Sequence, residues 1–207
     1  MQFETQHVDA LMALLRWRRD VRHFTDQRVS HDDLTVLQQA MALAPSVGNC
    51  QPWRVINVVD HALREKIVVD HKAANQVAAD QYDEPRREDY SALKLAALDE
   101  APLQLAIFTE CDPAQGHGLG RQSMPEAVVY STVLAIHSLW LVARSLNLGV
   151  GWVSILDPER VERILDVQSS WHLTAYLCLG YPKFTDDTPE LERVGWQERT
   201  DIVWATK

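Results

Sequence analysis

The order of apolar and polar positions along the chain predicts alternating helices and strands. Apolar residues recur at helical spacing in six stretches and form short apolar runs in four others. The predicted helices cover residues 7–19, 30–44, 63–81, 89–100, 124–147 and 158–165, and the predicted strands cover residues 53–59, 103–109, 149–155 and 173–179. Because these elements do not follow strict βαβ order, the pattern predicts a three-layered α+β fold, one domain over residues 1–207.

One predicted helix is almost entirely apolar. From Ala127 to Ala143 the chain contains no Asp, Glu, Lys or Arg. A membrane-spanning helix needs about 20 mostly apolar residues, and this stretch is slightly shorter and carries two serines, a threonine and a histidine. We therefore predict a central helix, buried by its own domain or by a second subunit.

The end of the chain has a different character. From Tyr181 it is polar and irregular, and it then finishes in the apolar run IVWA. A terminal strand with nothing local to pair with often completes the sheet of a neighbouring subunit. Residues 185–207 are therefore predicted to wrap around the partner in a homodimer.

Composition and charge narrow the function classes. The net charge of −9 argues against a nucleic-acid surface. Cys50, Cys111 and Cys178 lie far apart without CxxC spacing, so neither a disulfide framework nor a metal site is expected. Widely spaced cysteines and an N-terminus without a signal-peptide pattern fit a cytoplasmic protein with no membrane partner.

RWRRDVRH, residues 16–23, concentrates four of the chain's 20 Lys and Arg residues in seven positions. Arginine suits phosphate because its planar fork donates two parallel hydrogen bonds. The alternative is a solvated helix end, where cations complement the helix dipole. Asp20 in the middle of the cluster is either an ion-pair partner of the arginines or a functional carboxylate.

Two further segments contain residues that a simple turn or strand at their position does not require. APSVGNCQPWR, residues 44–54, is explained in part as a helix stop and a strand entry that use Pro and Gly. That explanation does not cover Asn49, Gln51 and Trp53, so we interpret the segment as a loop shaped for a flat ligand. In GVGWVSI, residues 149–155, glycines at alternate strand positions indicate close approach by a ligand or another backbone.

Together these segments resemble the BluB branch of the nitroreductase superfamily, the 5,6-dimethylbenzimidazole synthases of cobalamin biosynthesis. The resemblance runs from about Leu15 to Arg199 and rests on RRDVRHF, APSVG with QPWR, LKL, EAPLQLAIF, YSTVLAI, LGVGWVSILDPERV, YLCLGYP and PELERVGWQER. It implies a nitroreductase-like three-layer fold with a central mixed sheet flanked by helices. It also implies a homodimer with an exchanged C-terminal tail and FMN at the subunit interface.

The resemblance implies roles for individual residues. The implied ligands of the FMN phosphate are Arg18, Arg19, Arg22 and Arg199. The residues implied to lie around the flavin ring are Pro45, Ser46, Gly48, Leu93, Gly151, Trp152 and Ser154. Asp20 and Ser154 are the residues it implies for the chemistry. The sequence departs from the branch at Asn49, Gln81 and Val128, which lie around the implied flavin site.

The function implied is the oxygen-dependent fragmentation of reduced FMN to 5,6-dimethylbenzimidazole and erythrose 4-phosphate. A separate reductase, using NAD(P)H, supplies the reduced flavin. Two alternatives stay open. One is a conventional FMN-dependent NAD(P)H nitroreductase, which Asn49 and Gln81 favour, and the other is a flavin-binding protein without turnover.

Overall fold

The computed structural model of the chain describes residues 1–94 and 97–207, so Leu95 of the LKL motif lies outside the described residues. The described residues form seven α-helices and four β-strands. The helices are α1 Thr5–Trp17, α2 His31–Ala42, α3 His61–Ala79, α4 Arg86–Ala92, α5 Ala127–Ser145, α6 Pro158–Ile164 and α7 Glu190–Arg193. The strands are β1 Trp53–Asn57, β2 Leu103–Glu110, β3 Gly149–Val153 and β4 Trp171–Gly180.

Short polar side chains set where several helices begin. Ser30 caps α2, because its Oγ accepts a hydrogen bond from the Asp33 N–H at 3.0 Å. Asp157 caps α6, because its side chain accepts from the Arg160 N–H at 3.1 Å. Such caps satisfy N–H groups that have no partner inside the helix. The helix predicted over residues 89–100 is shorter than expected, because α4 ends at Ala92.

The sheet has the strand order β1-β2-β4-β3, and each of its three pairings is antiparallel. The expectation of a mixed sheet is therefore wrong for these four strands. The reason lies in the topology: β2 and β3 run in the same direction on either side of α5 in sequence, but β4 inserts between them. An isolated parallel bridge joins Asp20, which lies outside the strands, to Val150 of β3.

Helices cover both faces of the sheet, so the predicted three-layered α+β fold is confirmed. On one face, α2 and α5 pack on alternate residues of β2 and β4, including Ile107 and Leu177. On the other face, Ile67 of α3 and Val161 of α6 pack against Phe108. Because successive strand residues point to opposite faces, one strand contributes to both cores.

The apolar helix α5 is long and apolar enough to cross a membrane by length and composition alone. One face of it belongs to the core, since Ala135, Ile136 and Leu139 are almost fully buried. The opposite face is open in the single chain, and Tyr130 retains 56% of its exposure. The prediction of a buried central helix is thus met on one face only.

Candidate functional site

The arginine cluster begins where α1 ends. Arg18 follows Trp17 in an extended conformation, and the chain then runs beside β3, with the Val21 N–H donating to the Val150 carbonyl at 3.0 Å. The Arg19 guanidinium turns back and donates to the Leu15 carbonyl at 2.8 Å. It thereby satisfies a free carbonyl at the helix end, as cations commonly do there. The alternative interpretation, a cation at a helix end, is therefore correct for the Nη2 group of Arg19.

The same arginines retain unused donors. Arg18 Nε and Arg19 Nε are buried and have no hydrogen-bond partner within residues 1–94 and 97–207. The Arg18 guanidinium lies over the Trp140 ring, 4.9 Å from its centroid. Burial lowers the pKa of both arginines, and the nearby Arg199 lowers it further. Unpartnered donors in a region of positive charge are suited to hydrogen-bond a phosphate group.

These side chains open into a cavity of about 470 Å³. It is lined by Arg18, Arg19, Asp20 and Arg22, by residues 89 and 92–94 beside α4, and by tail residues around α7. Leu93, which the resemblance assigns to the flavin ring, is among the lining residues. Volumes of this size accommodate a small-molecule cofactor or substrate.

The tail brings Glu190 and Trp196 to the wall of the cavity and Arg199 close to the arginines. Arg199 acts electrostatically on Arg18 and Arg19 and pairs with Glu192, Nε to Oε2, at 3.4 Å. Trp196 packs against Tyr82 and Tyr90, with ring centroids 5.8 and 6.3 Å away. The sequence interpretation named Arg199 but missed Trp196, although this residue lies in the quoted motif PELERVGWQER.

Asp20 is the central carboxylate of the site. Its Oδ1 accepts from the Trp152 N–H at 2.8 Å, and its Oδ2 pairs with the Arg22 guanidinium. The Asp20 side chain keeps 40% of its surface open to the cavity, but the protein packed around the carboxylate still raises its pKa above the ordinary value. Arg22 and the Trp152 N–H oppose this effect. Asp20 is thus an ion-pair partner of an arginine, and its environment favours the protonated form more than water does.

The glycines of β3 are explained by another backbone. A Cβ on Gly151 would lie 2.3 Å from the Val21 carbonyl oxygen, and a Cβ on Gly149 would lie 2.7 Å from Val21 Cγ2. Within the described residues, the backbone of Val21, between Asp20 and Arg22, therefore packs against Gly151. The glycines bring the arginine segment into contact with the strand that ends beside Ser154, which is exposed.

The loop that contains Pro45, Ser46 and Gly48 adopts an unusual backbone. Gly48, Asn49 and Gln51 have φ values of 57°, 56° and 44°. This left-handed conformation suits Gly and, less well, Asn. Ser46 Oγ accepts from the Gln51 N–H at 3.0 Å. A Cβ on Gly48 would lie 3.0 Å from the carbonyl oxygens of Gly116 and Leu119, so the loop packs closely on the segment that contains these two residues.

Within one chain this loop is separate from the arginine cluster. The Val47 N–H donates to Ser131 near the start of α5, whereas Arg18 lies over Trp140 of the same helix. Nine residues of α-helix correspond to about 13 Å of rise. The single chain therefore does not unite the two predicted parts of the flavin site.

The three departures from the family pattern lie in different surroundings. Asn49 and Gln81 are exposed, whereas Val128 is buried at the start of α5. Lys94, which the sequence interpretation did not single out as a site residue, lines the cavity. It lies between His23 Nδ1, at 3.3 Å, and the carboxylate of Glu100. The position of Lys94 inside the LKL motif was the available signal.

The fold and the sequence define the class of protein. Residues 15–181 match the Nitroreductase family. The chain belongs to the nitroreductase family, a family of oxidoreductases whose members are commonly dimeric. Among solved structures it is similar to iodotyrosine deiodinase bound to FMN and 3-iodo-L-tyrosine, with a TM-score of 0.77 and 23% identity. That alignment covers 95% of this chain and 98% of the other.

Relatives with a more specific name are considerably more similar in sequence. The chain is 52% identical over 204 residues to a 5,6-dimethylbenzimidazole synthase of Rhodobacter capsulatus, and the alignment covers 99% of both chains. It is 51% identical over 199 residues to the synthase of Rhodospirillum rubrum, covering 95% and 93%. A nitroreductase with bound FMN from Desulfitobacterium hafniense has the same fold, with a TM-score of 0.65 and 18% identity. The resemblance to the synthase branch is confirmed.

Proposed function

We propose that this protein fragments reduced FMN in an oxygen-dependent reaction that yields 5,6-dimethylbenzimidazole and erythrose 4-phosphate. The observation that carries the proposal is the position of the Asp20 carboxylate, which lies among arginines in the cavity and accepts from the Trp152 N–H of β3. Burial, which raises the pKa of this carboxyl, supports the same role. Phosphate binding alone does not require a carboxylate at that position. The relatives named 5,6-dimethylbenzimidazole synthase support the same function.

The residues present fit FMN. The unpartnered Nε groups of Arg18 and Arg19 suit the phosphate, together with Arg22 and Arg199. The ring would lie near Leu93 and the end of β3, with Gly151, Trp152 and Ser154. Reduced FMN supplies both the ring that reacts with oxygen and the carbons of the product.

Asp20 acts as the general base in this proposal. The ribityl chain of FMN has five carbons and erythrose 4-phosphate has four, so one carbon stays with the ring and completes the benzimidazole. That carbon, next to the ring, must lose hydrogen. A carboxylate whose pKa is raised by burial accepts such a proton more readily than an exposed one.

Ser154 is assigned to orienting the ring. It follows the last residue of β3, two positions after Trp152, whose N–H is held by Asp20. A hydroxyl there donates a hydrogen bond to a polar edge of the flavin. The tail residues around Trp196 line the cavity, and in this proposal they limit the access of water to the bound ring.

A second copy of the chain completes the proposed site. The exposed face of α5 carries Val129, Tyr130, Val133 and Leu134, which are 38–56% exposed. An apolar patch of this kind marks a protein interface. The partner's loop then supplies Pro45, Ser46 and Gly48 to the ring, which explains why one chain holds them far from the arginines. The proposal includes a cytoplasmic homodimer served by a separate NAD(P)H-dependent flavin reductase.

Asn49 favours a second candidate, a conventional FMN-dependent NAD(P)H nitroreductase. It occupies an exposed, left-handed position in the loop assigned to the flavin. A recycled flavin would transfer hydride between nicotinamide and an acceptor without oxygen.

The experiment that separates the candidates supplies purified protein with chemically reduced FMN, then admits air and analyses the mixture by mass spectrometry. The proposed function requires 5,6-dimethylbenzimidazole only in the aerated sample. Anaerobic NADH oxidation at ordinary enzymatic rates, with no benzimidazole in air, would establish the nitroreductase instead. Stable flavin binding with neither activity would identify a flavin-binding protein.

A further inference from the structure

A buried carboxylate outside the cavity requires explanation. Asp70 lies on α3, and only 2% of its surface is exposed. Burying a carboxylate is costly unless it is paired and hydrogen-bonded. Its partners both lie in the segment that follows Ser154. Asp70 Oδ2 accepts from the Asp157 N–H at 2.9 Å, and Oδ1 lies 3.3 Å from Arg160 Nε.

The neighbouring residue on α3 holds the same segment. His71 Nδ1 lies 2.9 Å from the Ile155 carbonyl oxygen. Because a carbonyl only accepts, the Nδ1 of His71 carries the proton in this contact. Two adjacent residues of α3 therefore hold the backbone at residues 155 and 157, immediately after Ser154.

The local helix cap does not account for these contacts. The Asp157 side chain already caps α6 by accepting from the Arg160 N–H. In a capping box the third helical residue, as Glu or Gln, would accept from the N–H of the capping residue. Here that residue is Arg160, which has no acceptor, so Asp70 of α3 fills the role from another element.

Packing holds the segment on that side only in part. Leu156 packs on the buried core, but a groove of about 310 Å³, lined in part by Ala73, Ala74 and Leu156, lies between α3 and α6. The hydrogen bonds of Asp70 and His71 add directed contacts beside this space. On the other side, Asp20 and Arg22 hold Trp152 through its N–H and its carbonyl, at 2.8 and 3.2 Å. Ser154 lies between these two sets of contacts.

We infer that Asp70 and His71 are positioning residues that fix Ser154 relative to Asp20 by holding the backbone at residues 155–157. The inference rests on the role of Ser154 in the proposed function. It adds α3, which does not line the arginine cavity, to the elements that position the residues of the site.

The test uses Asp70→Asn, which keeps the volume but places an amide NH₂ against one of two donors. Its readouts are the visible spectrum of bound oxidised FMN and the yield of benzimidazole from reduced FMN in air. We expect the spectrum to shift to that of Ser154→Ala. The yield should fall about tenfold, because a small displacement of a reacting group costs up to about a hundredfold. The FMN dissociation constant should stay within about twofold, since the arginines are untouched.

The double variant with Ser154→Ala decides whether Asp70 acts through the serine. Residues that act through one another are not additive, so Asp70→Asn should change nothing further in that background. Multiplicative losses, or a wild-type spectrum in Asp70→Asn, would overturn the inference. Lys72→Ala, an exposed change on the same helix, is the control and should match wild type.

If Asp70→Asn does not fold, a second variant replaces it: His71→Leu removes the contact at Ile155 alone and is compared with wild type in the same way. If the wild type forms no benzimidazole, the proposed function fails, while the spectra still decide the positioning role. A spectrum of bound FMN that is the same in wild type and Ser154→Ala would overturn the positioning role itself.

Discussion

At the scale of single residues, the cavity places the Asp20 carboxylate among the arginines that the proposed function assigns to a phosphate. Arg22 pairs with Asp20, yet burial still raises the pKa of that carboxyl. The Nε groups of Arg18 and Arg19 are meanwhile unpartnered within residues 1–94 and 97–207. In the proposed function, the arginines bind the phosphate and Asp20 accepts a proton, so different groups carry the two roles.

The first prediction concerns the phosphate. Arg19→Ala removes a donor from a dianionic group, and a hydrogen bond to a charged group contributes about 1.5–3 kcal/mol. We expect FMN binding to weaken about tenfold or more in a fluorescence titration. Arg16→Ala is the matched control, because Arg16 is exposed and does not line the cavity. Unchanged affinity in Arg18→Ala, Arg19→Ala and Arg22→Ala would contradict the phosphate assignment.

The second prediction concerns the base. Asp20→Asn keeps the size of the side chain and a hydrogen-bond acceptor for the Trp152 N–H, but it cannot take a proton. General-base catalysis contributes about 10²–10⁴ in rate, so benzimidazole should fall close to the detection limit while FMN still binds. The flavin should return to its oxidised form in air. A variant that makes benzimidazole at the wild-type rate would exclude Asp20 as the base.

At the scale of elements, Glu100 joins three separate segments. It accepts from Lys94, from Lys183 at 3.0 Å and from the Phe24 N–H at 3.2 Å. The hydrogen bond from Lys94, with that from Lys183, lowers the pKa of Glu100 to about 2. This junction links the cavity wall at residue 94 to the chain after β4.

The third prediction follows from that pKa. A carboxyl whose pKa is lower in the folded state stabilises the fold above its unfolded pKa and loses this effect as pH falls. Glu100→Gln should therefore be less stable than wild type at pH 7, with the difference disappearing between about pH 4.5 and 2. Denaturation midpoints across this range measure it. Asp99→Asn, at an exposed neighbouring carboxyl, is the control. A constant difference at all pH values would contradict the role of ionised Glu100.

The elements were the part of the fold most accessible from sequence. Periodicity located α2 and α6, because it is a local signal. The antiparallel sheet was not predictable in this way, since the insertion of β4 between β2 and β3 is a long-range event. For the same reason the sequence identified glycines 149 and 151 as a close approach but did not identify Val21 as the group that approaches.

At the scale of the whole molecule, one chain contains an incomplete site. The loop with Ser46 and the arginine cluster meet different ends of α5, and the outer face of α5 is exposed. The apolar end of the tail is also exposed, with Ile202, Val203 and Trp204 at 85–89%. The exposed apolar face of α5 and the exposed apolar tail are consistent with the proposed dimer. The separation of the loop from the arginines within one chain is consistent with it as well. The exchanged tail stays a prediction.

The fourth prediction tests the tail. A chain that ends at residue 184 lacks Trp196 and Arg199 and should be monomeric or insoluble and without flavin. A chain that ends at residue 199 keeps both residues and serves as the comparison, so it should retain more FMN affinity. Light scattering and flavin absorbance measure both properties. A well-folded, FMN-bound monomer from the shorter chain would contradict the role of the tail in the dimer.

The central claim is that FMN is the substrate and is destroyed. The most direct measurement supplies reduced FMN labelled with ¹³C at the ribityl carbon next to the ring and then admits oxygen. Loss of flavin absorbance and the mass of the benzimidazole are followed together. We predict one benzimidazole for each flavin lost, carrying the labelled carbon, and erythrose 4-phosphate without label. Full recovery of intact, labelled FMN with no labelled benzimidazole would contradict the claim.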